Sequence, residues 1–383
     1  MALKIAVLKE TKDDERRVAI VPSLLPKLAK LGIEVQVQSG AGLRARLPDD
    51  AYLQGPSPAT LIDDPKALVA DADIVLAIQA PGLDTVAAMK PGAVLVSFLY
   101  LNKVPGLPER LRDGKITAFA MEAVPRISRA QSLDALSSQA ALSGYYAPLL
   151  GALHLPRIMP MMTTAVGSLR AAKVLVMGLG VAGLQALATA RRLGAVTEGY
   201  DVRPETREQA QSVGAKFVDT GIDATGEGGY ARELTVEEQA KAAEVLTQHI
   251  QQADVVITTA NVPGRQAPRL VSRAQIEGMK PGAVIVDLAA DSGGNCEGTV
   301  PGQTVEIGPT VVLAPFNVPS LLAQHASELY AKNLLNLLAL IVQDGALALD
   351  LEDEVVLGTL VAYDGTVRDP DARSFPVPST KEN

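Results

Sequence analysis

Three glycines, Gly178, Gly180 and Gly183, stand in G-x-G-x-x-G spacing directly after the apolar run Lys173 to Met177. This spacing suits phosphate chemistry. The first glycine permits a tight turn, the second lets backbone approach a pyrophosphate, and the third lets the following helix pack closely on the strand. The helix, expected over Val181 to Leu193, would start with Val181 and Ala182 and turn unpaired N–H groups and a partial positive charge toward a diphosphate. A second strand is expected after Gly194 and ends at Asp201, a little over the ~20 residues that bring a carboxylate to the adenosine ribose hydroxyls. An acid there repels a 2′-phosphate, so NAD(H) is expected over NADP(H). The competing reading is an ordinary strand-end aspartate. Val202 and Arg203 come next, and an arginine here can accept a 2′-phosphate. Beside an intact Asp201 it is expected near the adenine or facing solvent.

Two further segments carry polar chemistry. "ITTANVPG" (Ile257 to Gly264) would end a strand at the carboxyl edge of the same sheet, which makes Asn261 and Val262 candidates for the ribose and adenine side. A turn made by Pro263 and Gly264 accounts for that stretch equally well. "MEAVPRISRAQSLDALSSQ" (Met121 to Gln139) sets arginines, glutamine, aspartate and serines against a helix start. It reads either as ligand chemistry or as solvated capping with Ser132 at the N-cap. The histidines, His154, His249 and His325, lie outside these motifs and read as structural. Cys296 is the single cysteine, which leaves neither a disulfide framework nor a cysteine cluster for zinc, and no metal site is expected.

The elements that must position these residues follow a βαβ rhythm. Val- and Ile-rich runs recur at Ile5 to Leu8, Glu34 to Val37, Ile74 to Ile78, Ala93 to Phe98 and Ile116 to Ala118, with helical periodicity between them. A second series runs through Lys173 to Met177, Val196 to Tyr200, Lys216 to Val218, Val255 to Thr258, Val284 to Asp287 and Val311 to Ala314. The expected fold is α/β, with two doubly wound Rossmann-like domains and mostly parallel sheets. An internal echo supports duplication: Ala72-Asp73-Ile74-Val75 followed by "MKPGAVLVSFL" from Met89 matches Ala253-Asp254-Val255-Val256 followed by "MKPGAVIVDLA" from Met279. Ser132 to Leu153 reads as a helix, and Pro156 to Ser168 as a linker because its prolines interrupt helix. A long helix is expected from Ser320 to about Val342, then a hairpin turning at Asp364-Gly365. The expected division is residues 1–140 plus 325–383 for the first domain and 141–324 for the second.

Composition narrows the function. The 383 residues are 48% hydrophobic and 20% charged, enough for two real cores and too ordinary for disorder. A net charge of -8 without any basic run argues against nucleic acid or an anionic membrane surface as a partner. The longest apolar stretch, Leu334 to Val342, is interrupted by Asn336 and falls far short of the ~20 residues needed to cross a bilayer. The N-terminus enters a strand-like run without the pattern of a signal peptide, so the cytoplasm is the expected compartment.

The polar segment, the glycine fingerprint, "GEGGYARE" (Gly226 to Glu233) and "AKNLLN" (Ala331 to Asn336) together closely resemble the NAD(H)-binding component, domain I, of proton-translocating nicotinamide nucleotide transhydrogenases. The resemblance spans essentially the whole chain. It implies that Arg126, Gln131, Asp134 and Ser137 hold the nicotinamide and its ribose, with Ile127, Ser128, Ser132 and Leu133 beside them. Tyr230 would close over the nucleotide on a loop hinged at Gly226, Gly228 and Gly229, glycines that tolerate backbone angles closed to other residues. It further implies a homodimer on the cytoplasmic side of the cell membrane, with NADP(H) on a partner component and a membrane component that translocates the proton. The direct hydride transfer so implied needs two apposed rings and no protein acid or base.

Alanine dehydrogenase is the related alternative, sharing "RVAI" at Arg17 to Ile20. Its chemistry needs a lysine to grip the substrate carboxylate and a histidine for proton transfer. The corresponding positions hold Gln79 and Tyr100, neither a permanent cation nor a near-neutral base. Arg17 and Asp291 are then expected in fold-supporting roles. A non-catalytic NAD(H)-sensing module is the remaining alternative.

Overall fold

The computed structural model describes residues 2–224, 232–261, 266–369, 372 and 374–376. The chain divides into two compact units, residues 1–139 with 320–383, and residues 140–319. The division falls inside the helix Ala135–His154. Pro156 to Ser168, expected as a linker, instead carries a small hairpin of the second unit, with strands Met162–Thr164 and Gly167–Leu169.

In the first unit, strands β1 (Leu3–Val7), β2 (Ile33–Gln38), β3 (Thr60–Ile62), β4 (Ile74–Gln79), β5 (Val94–Phe98) and β6 (Thr117–Ala120) pair in parallel in the order 6-5-4-1-2-3. The side chains of β1, β4, β5 and β6 are buried on both faces, as parallel strands covered by helices require, while β2 and β3 at the edge are partly exposed. The helix Ala323–Ile341 packs one face, with Tyr330, Leu334, Leu337 and Leu338 in the core. The tail then adds Leu360–Tyr363 antiparallel to β6, and Thr366–Val367 beyond it. Asp364 and Gly365 both take positive φ, 44° and 76°, the geometry of a tight hairpin turn.

Counting the small hairpin as β7 and β8, the second unit has β9 (Lys173–Met177), β10 (Val196–Tyr200), β11 (Lys216–Phe217), β12 (Val255–Thr258), β13 (Val284–Asp287), β14 (Thr304–Ile307) and β15 (Thr310–Leu313). Their order is 11-10-9-12-13-15-14, parallel except for the antiparallel edge strand β14. Both sheets therefore reverse strand order once, between β1 and β4 and between β9 and β12. In open α/β sheets, ligands bind outside the carboxyl ends of the strands at such a reversal.

The internal echo has a physical cause. Asp73 accepts the backbone N–H of Lys4 (2.8 Å) and the ammonium of Lys90 (2.5 Å). Asp254 does the same with Lys173 N–H (2.8 Å) and Lys280 Nζ (3.0 Å). In each unit this aspartate ties the first strand to the fourth, and the lysine comes from the turn that opens the fifth.

Candidate functional site

In the second unit the fingerprint glycines are set by close contacts. Gly178 has φ 95°, and a Cβ there would lie 2.9 Å from Thr259 Oγ1 and 3.0 Å from Ala260 N. A Cβ on Gly183 would lie 1.8 Å from the Gly178 carbonyl oxygen, so only glycine lets the helix Val181–Arg192 seat against the end of β9. At Gly180 a Cβ would meet nothing within 4 Å, and the helix begins there without a side-chain cap. The backbone N–H groups of Val181 and Ala182 are thus presented as an anion-binding helix start. Gly144 completes the packing: its missing Cβ would be 2.1 Å from the Ala182 carbonyl oxygen, so Ala135–His154 crosses the helix start at backbone distance.

Asp201 stands at the end of β10, 8% exposed. Its carboxylate accepts Leu179 N–H at 2.7 Å, from within the glycine turn. It also accepts the Arg203 backbone N–H (2.9 Å), Nε (2.9 Å) and Nη2 (2.8 Å). Arg203 is therefore not turned to solvent, one of its two expected placements. The guanidinium folds back onto Asp201 in a two-point ion pair, because a nearly buried carboxylate collects the nearest donors. Val202 is half-buried and its carbonyl accepts Ala224 N–H.

Asn261 is exposed just past the end of β12, and the residue before it is clamped. The fully buried Asn295 accepts Ala260 N–H (3.1 Å) and donates to the carbonyls of Ala260 (2.8 Å) and Pro268 (2.8 Å). Asp287, at the end of β13, fixes Asn295 by accepting its N–H at 2.8 Å. Asn295 escaped the sequence reading because its partners are distant in the chain and mostly backbone. Val262, Tyr230, Gly226, Gly228 and Gly229 lie outside the described residues.

In the first unit a 3-10 helix, Ser128–Leu133, leads into Ala135–His154. Leu133 and Ala130 are buried, which leaves Gln131 and Ser132 exposed, with Ile127 half-buried and Arg126 and Ser128 exposed. The N-cap is Asp134, not Ser132: its carboxylate accepts Ser137 N–H (2.8 Å) and Ser137 Oγ (2.6 Å). Ser132 instead turns its carbonyl to Asn333 Nδ2 (2.8 Å) and Asn336 Nδ2 (2.9 Å), which gives the "AKNLLN" stretch its role. Arg129 adds a second anchor, a two-point pair with Asp353 (2.6 and 2.8 Å). That pair, with the helix N–H groups Asp353 caps, lowers the Asp353 carboxyl to about 2.

Arg17 is buried and fully engaged. It meets both Glu15 oxygens (2.8 and 2.6 Å) and Gln139 Oε1 (2.8 Å). Burial pushes the Glu15 carboxyl up, but the Arg17 pairing overrides it and holds the group at about 2. Gln79 donates to the same carboxylate at 2.9 Å. Tyr100 stacks on Phe98, ring centroids 6.2 Å apart, with Lys103 over its ring at 5.3 Å. His249 pairs with Glu198 (2.7 Å) and His154 with the Leu150 carbonyl (3.0 Å), both structural. Asp291 accepts Asn317 N–H at 3.3 Å. No cluster among the described residues could hold a metal ion, and none of their helices is long and apolar enough to cross a membrane.

Two doubly wound units, the second carrying a glycine cradle and a carboxylate at the end of the neighbouring strand, define a dinucleotide-binding α/β protein of the dehydrogenase type. The chain belongs to the alanine dehydrogenase/PNT family, whose N-terminal domain model matches residues 6–143 and whose C-terminal domain model matches residues 147–370. It is 46% identical over 379 residues to an NAD(P) transhydrogenase subunit alpha polypeptide of Rhodospirillum rubrum, covering 96% of this chain and 98% of that one. It is 31% identical over 302 residues to alanine dehydrogenase of Mycobacterium tuberculosis, covering 78% and 76%. The crystal structure of transhydrogenase from Sinorhizobium meliloti superposes with a TM-score of 0.82 at 39% identity, covering 95% of this chain and 98% of that one.

Proposed function

We propose that this chain is the NAD(H)-binding subunit of a proton-translocating transhydrogenase. It would exchange a hydride directly with NADP(H) carried by a partner component, while a membrane component moves the proton. In this reading the second unit takes the diphosphate at Gly178, Gly180, Val181, Ala182 and Gly183. Asp201, with Val202, Arg203, Asn261 and Val262, takes the adenosine side. Arg126, Gln131, Asp134 and Ser137, with Ile127, Ser128, Ser132 and Leu133, hold the nicotinamide and its ribose, and Tyr230 with Gly229 closes over the nucleotide. The chain works as a homodimer on the cytoplasmic side of the membrane.

The observation that carries the reading is the state of Gln79 and Tyr100. An amino-acid dehydrogenase needs a cation for the substrate carboxylate and a proton donor beside the ring. Here Gln79 is neutral and spent on Glu15, and Tyr100 lies against Phe98. The cation nearest in the motif, Arg17, is neutralised by Glu15. Hydride transfer between two nicotinamides asks for neither group, only for orientation and exclusion of water.

The test mixes the purified chain with the NADP(H)-binding component of a transhydrogenase and follows reduction of an NAD analogue by NADPH. Hydride transfer in the mixture, with no NADH oxidation when the chain alone receives pyruvate and ammonia, is the expected result. Rapid oxidation by pyruvate and ammonia would overturn the proposal in favour of alanine dehydrogenase chemistry. NADH binding without transfer to the added component would leave a sensing module.

A further inference from the structure

We infer that the first unit carries a second anion site, away from the glycine cradle, built to take a phosphate-type oxyanion. Its place is a cavity of about 650 Å3 between the segment around Arg16, the turn Leu43–Arg46 and the chain that enters the helix Ala323–Ile341. That volume lies within the roughly 300–1,000 Å3 typical of small-molecule sites. Arg16, Arg44 and Arg46 line it, with His325 on the same wall, against a single carboxylate, Asp13. In a chain of net charge -8, three guanidiniums around one hollow is a local reversal of sign. None of the three has a carboxylate within ion-pair distance among the described residues.

Two of the arginines are held in ways that point to a ligand. Arg44 is anchored through one nitrogen only: Nη1 donates to the carbonyls of Lys12 (2.8 Å) and Glu15 (3.2 Å). Neutral carbonyls fix the side chain without cancelling its charge, and Nη2 and Nε keep their N–H groups for an acceptor outside the protein. A planar guanidinium fixed at one corner is prepared for two-point binding of a phosphate oxyanion, at little cost in side-chain freedom. Arg46 sits in the left-handed region, φ 62° and ψ 30°, where a side chain with a Cβ is strained. Arg46 there is the C-cap of the 3-10 helix Leu43–Ala45, and glycine would relieve the strain while removing the guanidinium. Leu43, 54% exposed, adds an apolar wall.

The anion site stands independently of the transhydrogenase reading, and one experiment separates the two. The chain is first saturated with NADH, so that the diphosphate cradle of the second unit is filled, and then titrated calorimetrically with inorganic pyrophosphate at fixed ionic strength. One saturable site is expected. Arg46→Gly and Arg44→Gln should each weaken it on the order of tenfold, the loss of one charge-assisted contact. Arg46→Gly relieves a strained backbone and so keeps the fold, which makes it decisive even if Arg44→Gln unfolds. No saturable binding, or the same affinity in Arg46→Gly as in the parent chain, would overturn the inference.

Discussion

If Asp201 takes the adenosine ribose as proposed, the oxygens it would offer are the ones that hold Arg203, and that competition would set nucleotide choice. With both its oxygens on Arg203 and one also on Leu179 N–H, the carboxylate keeps the guanidinium from reaching a 2′-phosphate. In that reading NADH would bring two hydroxyl donors in place of the guanidinium, whereas NADPH would bring a second anion against the first. NADH should therefore bind much more tightly than NADPH in equilibrium titrations. Asp201→Ser would release Arg203 and narrow the gap by roughly tenfold or more, since the freed guanidinium meets the phosphate directly. Equal affinities in the parent chain would remove Asp201 from the ribose. Gln131 raises a different question, because it is exposed on a turn pinned by Ala130 and Leu133 beneath it. Gln131→Asn keeps the amide but withdraws it by one methylene. A misplacement of about 1 Å can cost on the order of a hundredfold in rate, while adenosine-side binding survives. Hydride transfer to the NADP(H) component should fall steeply with little change in NADH affinity. Unchanged transfer, or lost NADH binding, would return the turn to a plain helix cap.

At the scale of elements, the ends of β1 and β4 are joined by one buried carboxyl. Glu10 accepts the N–H of Ile78 (2.6 Å) and of Gln79 (3.3 Å) and is 9% exposed. Burial pushes its pKa from the ordinary 4.5 to about 7, against the pull of those two N–H groups. Because the folded value lies above the unfolded one, the folded chain holds a proton that the unfolded chain releases between these values. Stability from this group is full below about pH 4.5, falls as pH rises, and levels off above about pH 7. Glu10→Gln should remove that slope, so thermal unfolding followed across the window would show the parent losing stability relative to the variant. Parallel courses for the two proteins would mean that Glu10 is ionised throughout. The strands Glu10 joins were legible in the sequence because parallel strands covered on both faces read as unbroken apolar runs, and β9, β12 and β13 begin and end where those runs do. Two edge strands were not legible. Thr60–Ile62 is three residues long and partly exposed, and Thr304–Ile307 is an antiparallel edge whose inward face alone is covered. The glycine cradle could be read because its spacing is a backbone requirement. The Asp134 cap, the Asn295 clamp and the folded-back Arg203 depend on which partner each side chain finds, and spacing does not carry that.

For the whole molecule, the homodimer expected from the family resemblance needs a surface, and the hairpin β7–β8 offers one. All six residues of its strands are exposed, and Met161, Met162, Val166 and Leu169 put apolar side chains into solvent, Val166 at 98%. The hairpin holds itself through Thr163 Oγ1 with Ser168 Oγ (3.0 Å) and Thr164 Oγ1 with the Gly167 carbonyl (3.0 Å). An isolated two-stranded hairpin is marginal in water, and a cluster of exposed apolar side chains on one is a docking feature. A second copy is the occupant the homodimer reading requires. Val166→Glu places a charge at the turn without touching the β9 strand or the glycine cradle, so NADH binding by each chain should persist. Sedimentation should then show the parent as a dimer and Val166→Glu shifted to monomer, by on the order of a hundredfold in dissociation constant if each of the two symmetry-related valines contributes about 1.5 kcal/mol. A dimer of unchanged strength would clear the hairpin of that role and send the search for the interface to another face of the chain.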